Sequence, residues 1–272
     1  PSLYQVAVDS LSFQMLYFYL NKFGEIYAER AFYLDEKTPP STTVETATPL
    51  KQMDVLVFTV HYELDFVNIV RVLLESGIEP LSSRRLTPLV IAGGPPIISN
   101  PLPLAPFVDV LAIGEIEPML PVLVEGLLSE RSSKKALLDS LPPEQGFYVP
   151  ERGDEEVTFN MAYKLDREFH PSAQVQPLRA PFKWKRRTAI EVSRGCIRGC
   201  SFCLEGRIFS ALRERSASEV VGIALEGREA NASNRVKLVS LSFFDHSQAD
   251  AILEKLLGEG FEISVPSLRA DT

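Results

Sequence analysis

Cys196, Cys200 and Cys203 are the only cysteines of this 272-residue chain, and all three fall within the stretch SRGCIRGCSFC. Core thiols scatter along a sequence, whereas these are concentrated at C-x3-C-x2-C spacing just past a strand signal. They can converge on one centre only if the backbone curls around it. Gly195 and Gly199 permit such a curl, because a residue without Cβ enters tight conformations freely. Soft thiolates favour zinc or iron–sulfur. A structural zinc site closes with four ligands, and His61, His170 and His246 lie remote from the cluster at no metal-finger spacing. A cubane [4Fe–4S] cluster normally takes four cysteines, so three would leave one iron open to a group that is not protein. Three readings stand at this point: an open cluster, zinc completed by histidine or water, and buried structural thiols with or without a redox pair.

The surroundings are α/β. TAIEVSRG (188–195) reads as a strand running into the cysteines, followed by the helix SASEVVGIALEGREA, whose Ser216 and Glu219 form a capping box. RVKLVSLSFF is a second strand, SQADAILEKLLGEG a helix and FEISVPSLRADT a third strand. Upstream, MDVLVFTV (53–60), PLVIAGGPP (88–96) and VDVLAIGEIEP (108–118) are apolar runs of the kind buried in parallel sheets, with helical periodicity between and after them. The pattern predicts an N-terminal Rossmann-like, doubly wound parallel sheet over residues 1–130. A linker with a small β-hairpin spans 131–187, and a βαβαβ segment spans 188–272. Only 69 residues follow Cys203, so this last segment reads as part of a larger barrel.

Composition narrows the class. With 45% hydrophobic and 24% charged residues the chain is globular, not disordered. A net charge of −8 argues against whole-surface nucleic-acid binding while leaving room for a local basic channel. No apolar run approaches the ~20 residues of a membrane span, and the start lacks signal-peptide features. A cytoplasmic location, with no membrane partner, is the expectation.

CIRGCSFC, with the aromatic Phe202 just before the last cysteine, resembles the signature of the radical S-adenosylmethionine (SAM) enzymes. The resemblance implies a partial (β/α)6 barrel whose first strand is TAIEVSRG. It also implies a [4Fe–4S] cluster on Cys196, Cys200 and Cys203, with SAM chelating the fourth iron. Reductive cleavage of SAM to a 5′-deoxyadenosyl radical would follow, with the electron supplied by a flavodoxin- or ferredoxin-like donor. Phe202 would lie near the adenine. Ser242, in SLSFFD after the second strand, would meet the methionine amino group, although this stretch lacks the glycines and glutamate of the commonest version. Arg215 and Arg269 are candidates for the SAM carboxylate, since guanidinium binds carboxylate through paired hydrogen bonds.

The first domain resembles the cobalamin-binding-type domain that precedes many such barrels. The features are Thr59 at one strand end, Gly93-Gly94-Pro95 at the next, and Gly114-Glu115-Ile116-Glu117 at a third. The resemblance allows a bound cobalamin, but the DxHxxG motif is absent, so no protein histidine would ligate cobalt. The alternative is that these glycines only form tight turns in a supporting domain. The whole chain resembles a group of iron–sulfur oxidoreductase-like proteins with that domain order. Two other functions compete. One is a non-catalytic iron–sulfur or zinc module for electron transfer or partner binding. The other is an RNA-modifying methyl- or methylthio-transferase, supported by the basic stretch KWKRR and the loop arginines. The sequence names neither substrate nor reaction.

Overall fold

A computed structural model describes residues 2–35, 37–129, 133–176, 186–209 and 211–270. The chain divides into two compact units, Pro1–Ala7 with Leu16–Ala162, and Val8–Met15 with Tyr163–Thr272. After a short helix α1 (Tyr4–Ala7), the apolar stretch LSFQMLYFYL forms α2 (Leu11–Leu20).

The first unit is built on β1 (Val55–Thr59), β2 (Leu89–Gly93) and β3 (Val110–Ala112), parallel and hydrogen-bonded in that order. The order is sequential, so the described strands contain no point at which it reverses. Residues Leu89 to Ala92 of β2 are all buried, as a strand covered on both faces must be. Helix α3 (Asp65–Glu75) turns Ile69, Val72 and Leu73 into the core. A short α4 (Pro95–Ser99) follows β2, and α5 (Ile116–Ser129) follows β3. A buried charge group fixes the sheet: Asp109 accepts from the Val90 amide at 2.7 Å and from Arg85 at 2.8 Å, and pairs with Lys134 at 2.7 Å.

The expected linker over 131–187 does not stand apart. Helix α6 (Lys134–Ser140) buries Leu137 and Leu138. The predicted hairpin strand is instead β4 (Phe147–Tyr148), antiparallel to β3 with Ala112 opposite Phe147. A two-residue strand cannot hold a hairpin of its own, and the edge of β3 offered it hydrogen bonds and a core. The first unit therefore extends to Ala162.

In the second unit β5 (Thr188–Glu191) continues through a break into β6 (Ser193–Arg194), which pairs antiparallel with β7 (Arg213–Glu214). β8 (Arg235–Val239) and β9 (Glu262–Ser264) complete a parallel sheet of order β5-β8-β9. One turn, α7 (Glu205–Ile208), lies between β6 and β7, while α8 (Ala217–Asn231) and α9 (Ala249–Gly258) make the crossovers. The Ser216–Glu219 capping box is present at α8. Val220, Ile223, Leu238 and Ile252 are fully buried, each contributing about 1.5–3 kcal/mol relative to exposure.

Among the described strands β5 is paired with β8 alone, and side chains satisfy its other edge. Gln176 bonds both the amide and the carbonyl of Arg187, and Gln174 does the same at Ala189, at 2.7 and 2.9 Å. His170 Nε2 accepts the Glu191 amide at 3.1 Å, and Arg215 Nε donates to the Glu191 carbonyl at 2.9 Å. Alternate residues of an edge strand point their polar groups outward. Here glutamine, histidine and arginine take the place of a neighbouring strand.

Candidate metal and cofactor site on the cysteine loop

The cysteine loop is pinched at its neck by the β6–β7 ladder, with Ser193 opposite Glu214 and Arg194 opposite Arg213. Inside the neck, Gly195 has φ of +91°, and a Cβ there would stand 2.1 Å from the Ala211 carbonyl oxygen. The Cys196 amide donates to the Phe209 carbonyl at 3.3 Å. The loop thus closes before it reaches the thiols. Cys196, Cys200 and Cys203 are all partly exposed and none is in a disulfide. Two sulfurs already accept backbone hydrogen bonds, Cys196 Sγ from the Arg198 amide at 3.4 Å and Cys203 Sγ from the Gly206 amide at 3.5 Å. Among the described residues no group of three or more His, Cys, Asp and Glu side chains is arranged to hold a metal ion.

The donor set nevertheless has the chemistry of an iron–sulfur ligand set. It offers three free thiols on one exposed loop, with amide N–H groups directed at sulfur, the outer-shell interaction that tunes such clusters. His170 and His246 do not complete a zinc site. His170 Nε2 is engaged with Glu191, and His246 bonds the Arg215 carbonyl through Nε2 at 3.0 Å and accepts the Gln248 amide through Nδ1 at 2.9 Å.

The arginines on and beside the loop are paired with acceptors on the loop and on neighbouring elements. Arg194 forks onto Glu191 at 2.8 and 2.9 Å, and Arg213 donates to the Ala211 carbonyl. Arg198 forks onto Asp245, and that guanidinium is the leading cause holding the Asp245 carboxyl below the usual carboxylate range. Arg269 adds to the effect from its place beyond β9. Arg215, expected to meet a carboxylate, is only 1% exposed, and its guanidinium serves the carbonyls of Glu191, Leu165 and Asp166. Its task here is structural, because a buried guanidinium must fill its donors from the nearest acceptors. Ser242 is buried in the turn after β8, close enough to Asp245 to help hold its carboxyl down without a formed hydrogen bond. Phe202 is 89% exposed, beside the last thiol. Burial raises the Glu205 carboxyl at the start of α7.

In the first unit the strand-end glycines lie tight against the chain's own backbone. Thr59 lies opposite Gly93 in the β1–β2 register. A Cβ on Gly94 would meet the Val60 carbonyl oxygen at 2.1 Å, and one on Gly114 the Asn160 carbonyl oxygen at 2.5 Å. Glu115 is buried and accepts the Ala162 amide at 3.1 Å. The two glycines let the chain approach itself closely at these strand ends. In KWKRR, Lys183, Trp184 and Lys185 lie outside the described residues, and Arg187 is tied in an ion pair to Asp9, which Lys237 shares at 2.8 Å.

Neither Asp245 nor Glu191 stands out in the sequence, and His170 does so only as a histidine remote from the cysteines. A signal existed only for Asp245, a lone acidic residue closing the SLSFFD turn.

A Rossmann-like sheet followed by βαβαβ, with three thiols on the loop after the first strand of the second unit, is the architecture of a radical SAM protein with a cobalamin-binding-like N-terminal domain. The family described as "Radical SAM proteins, N-terminal" matches residues 12–150, just over half the chain, and the protein belongs to that family. The uncharacterized protein MJ0966 of Methanocaldococcus jannaschii is 27% identical over an alignment of 280 residues, gaps included, covering 100% of this chain and 54% of that protein. The chain thus spans about half the length of this curated relative. Among solved structures, the cobalamin-dependent SAM radical enzyme OxsB with aqua-cobalamin and SAM bound superposes with a TM-score of 0.50. The identity is 19%, over 79% of this chain and 30% of OxsB. The form with aqua-cobalamin alone gives the same values. At that identity the likeness concerns the fold. Among the described residues no helix is long and apolar enough to cross a membrane.

Proposed function

We propose that this chain is part of a radical SAM enzyme whose [4Fe–4S] cluster is held by Cys196, Cys200 and Cys203. The observation that carries the reading is the loop itself: three unbridged thiols beyond a β6–β7 neck, at the C-terminal end of the first strand of a parallel βα sheet. In open α/β sheets ligands bind beyond the carboxyl ends of the strands. When bound, the cluster supplies the electron that cleaves the sulfonium of SAM. The chain's own contribution is positional. The Arg198 and Gly206 amides direct hydrogen bonds at sulfur, the neck fixes where the loop leaves the sheet, and Phe202 offers an exposed ring for the adenine.

The reading extends to an intracellular enzyme served by a flavodoxin- or ferredoxin-like donor, since free thiols and a reduced cluster require a reducing compartment. Cobalamin stays a possible second cofactor of the first domain, while its glycine turns also let the chain pack on its own backbone. Ser242 and Arg269 remain in the reading as groups near the SAM end of β8 and β9.

The test uses the full-length protein, anaerobically reconstituted with iron and sulfide and given dithionite and SAM. Formation of 5′-deoxyadenosine is expected, along with loss of the cluster on Cys→Ala at any of the three positions. No 5′-deoxyadenosine from a cluster-loaded wild type removes the reading. Zinc in place of iron, or a cluster indifferent to SAM, would favour a non-catalytic module instead.

A further inference from the structure

Arg198 is the middle residue between Cys196 and Cys200, and it reaches across to a turn 47 residues later in the chain. Its Nε lies 3.2 and 3.0 Å from the two carboxylate oxygens of Asp245, and its Nη2 bonds one of them as well. The Asp245 side chain is only 5% exposed, whereas that of Arg198 is 39% exposed. The carboxylate is therefore the fixed partner and the loop arginine the group that docks.

Asp245 is fixed for visible reasons. It ends a single 3-10 turn, Phe243–Asp245, directly after β8. Phe243 is fully buried in the core of the second unit, and its amide donates to the Ser267 carbonyl beyond β9 at 3.3 Å. Ser240 and Ser242, just before that turn, carry buried hydroxyls with no hydrogen-bond partner among the described residues. An exposed lone ion pair contributes little. This one is a guanidinium fork on a shielded carboxylate, and it joins a loop otherwise held at its neck to the ends of two other strands.

We propose that Asp245 is a positioning residue. Through Arg198 it clasps the Cys196–Cys200 arm against the turn after β8, and so sets how the cluster's open corner faces SAM at that strand end. This rests on the radical SAM reading above. The clasp acts on geometry between the two groups rather than on thiol ligation, so its loss should leave cluster loading intact and weaken the response to SAM.

The experiment compares wild type, Asp245→Asn and the exchanged pair Arg198→Asp with Asp245→Arg, all in the full-length protein reconstituted with iron and sulfide. Iron and sulfide content, thermal midpoint, and the electron paramagnetic resonance spectrum of the reduced cluster during a SAM titration are read. Asp245→Asn should load iron like wild type yet need about tenfold more SAM for the spectral change, and the exchanged pair should recover most of the loss. An Asp245→Asn protein that loads iron and responds to SAM at wild-type concentrations overturns the clasp and leaves the enzyme reading standing. A wild type that loads no cluster brings down the reading itself, and the clasp with it.

Discussion

His170 Nε2 accepts the amide hydrogen of Glu191 at 3.1 Å, which makes a histidine the last rung on the outer edge of β5. An imidazole can accept there only while that nitrogen is unprotonated. Burial first, then the positive charges of Arg215 and Arg167, push its pKa down to about 3. In the unfolded chain an ordinary histidine titrates near ~6.5. Between those values the unfolded state binds the additional proton. The stabilisation is therefore complete above pH ~6.5 and is lost as pH falls toward about 3, with a slope of up to ~1.4 kcal/mol per pH unit. Urea unfolding of His170→Gln should accordingly show a shallower loss of stability from pH 6 to pH 4 than wild type. Parallel slopes would show that His170 does not carry this acid sensitivity.

Arg215 and Phe202 should separate structure from ligand binding. Arg215 is 1% exposed and serves three carbonyls, so Arg215→Ala leaves buried acceptors without donors. A loss of about 3–5 kcal/mol is expected, read as the urea or thermal midpoint. Phe202→Ala removes an 89% exposed ring and should change stability by less than about 0.5 kcal/mol while weakening SAM binding. A stable Arg215→Ala protein defective only toward SAM would return Arg215 to the cofactor.

Gly94 has φ of +131°, with the Val60 carbonyl oxygen where a side chain would begin. Gly94→Ala should therefore destabilise the first unit by at least about 2–3 kcal/mol, whether or not any cofactor is added. Differential scanning calorimetry checks this. Undiminished stability would mean that the glycine is kept for a visitor rather than for the chain's own backbone.

Gly195 stands in the same relation to Ala211, but at the neck of the cysteine loop. In Gly195→Ala the β6–β7 ladder must open, and the three thiols lose their common base. Iron uptake on reconstitution should fall at least about fivefold, by analogy with the 10–100-fold losses typical of outer-shell changes at metal sites. Normal iron content in this variant would show that the neck is dispensable for the centre.

The sequence by itself determined the alternation of strands and helices, the Ser216–Glu219 cap and the confinement of thiol chemistry to Cys196, Cys200 and Cys203. These depend on period, spacing and residue type, which are local properties. Strand ends could be placed because glycine and proline mark them. What those glycines serve could not be read, since a Cβ vacancy filled by Val60 or Ala211 has the same sequence as one filled by a ligand. Only tertiary structure moved β4 out of the supposed linker, turned Arg215 from a ligand group into a carbonyl clamp, and showed Gln174, Gln176 and His170 acting as a strand's neighbour. It also brought Arg198 to Asp245. Polar side chains carry no periodic signature, and which acceptor a buried donor meets is decided by whatever distant segment folding sets beside it.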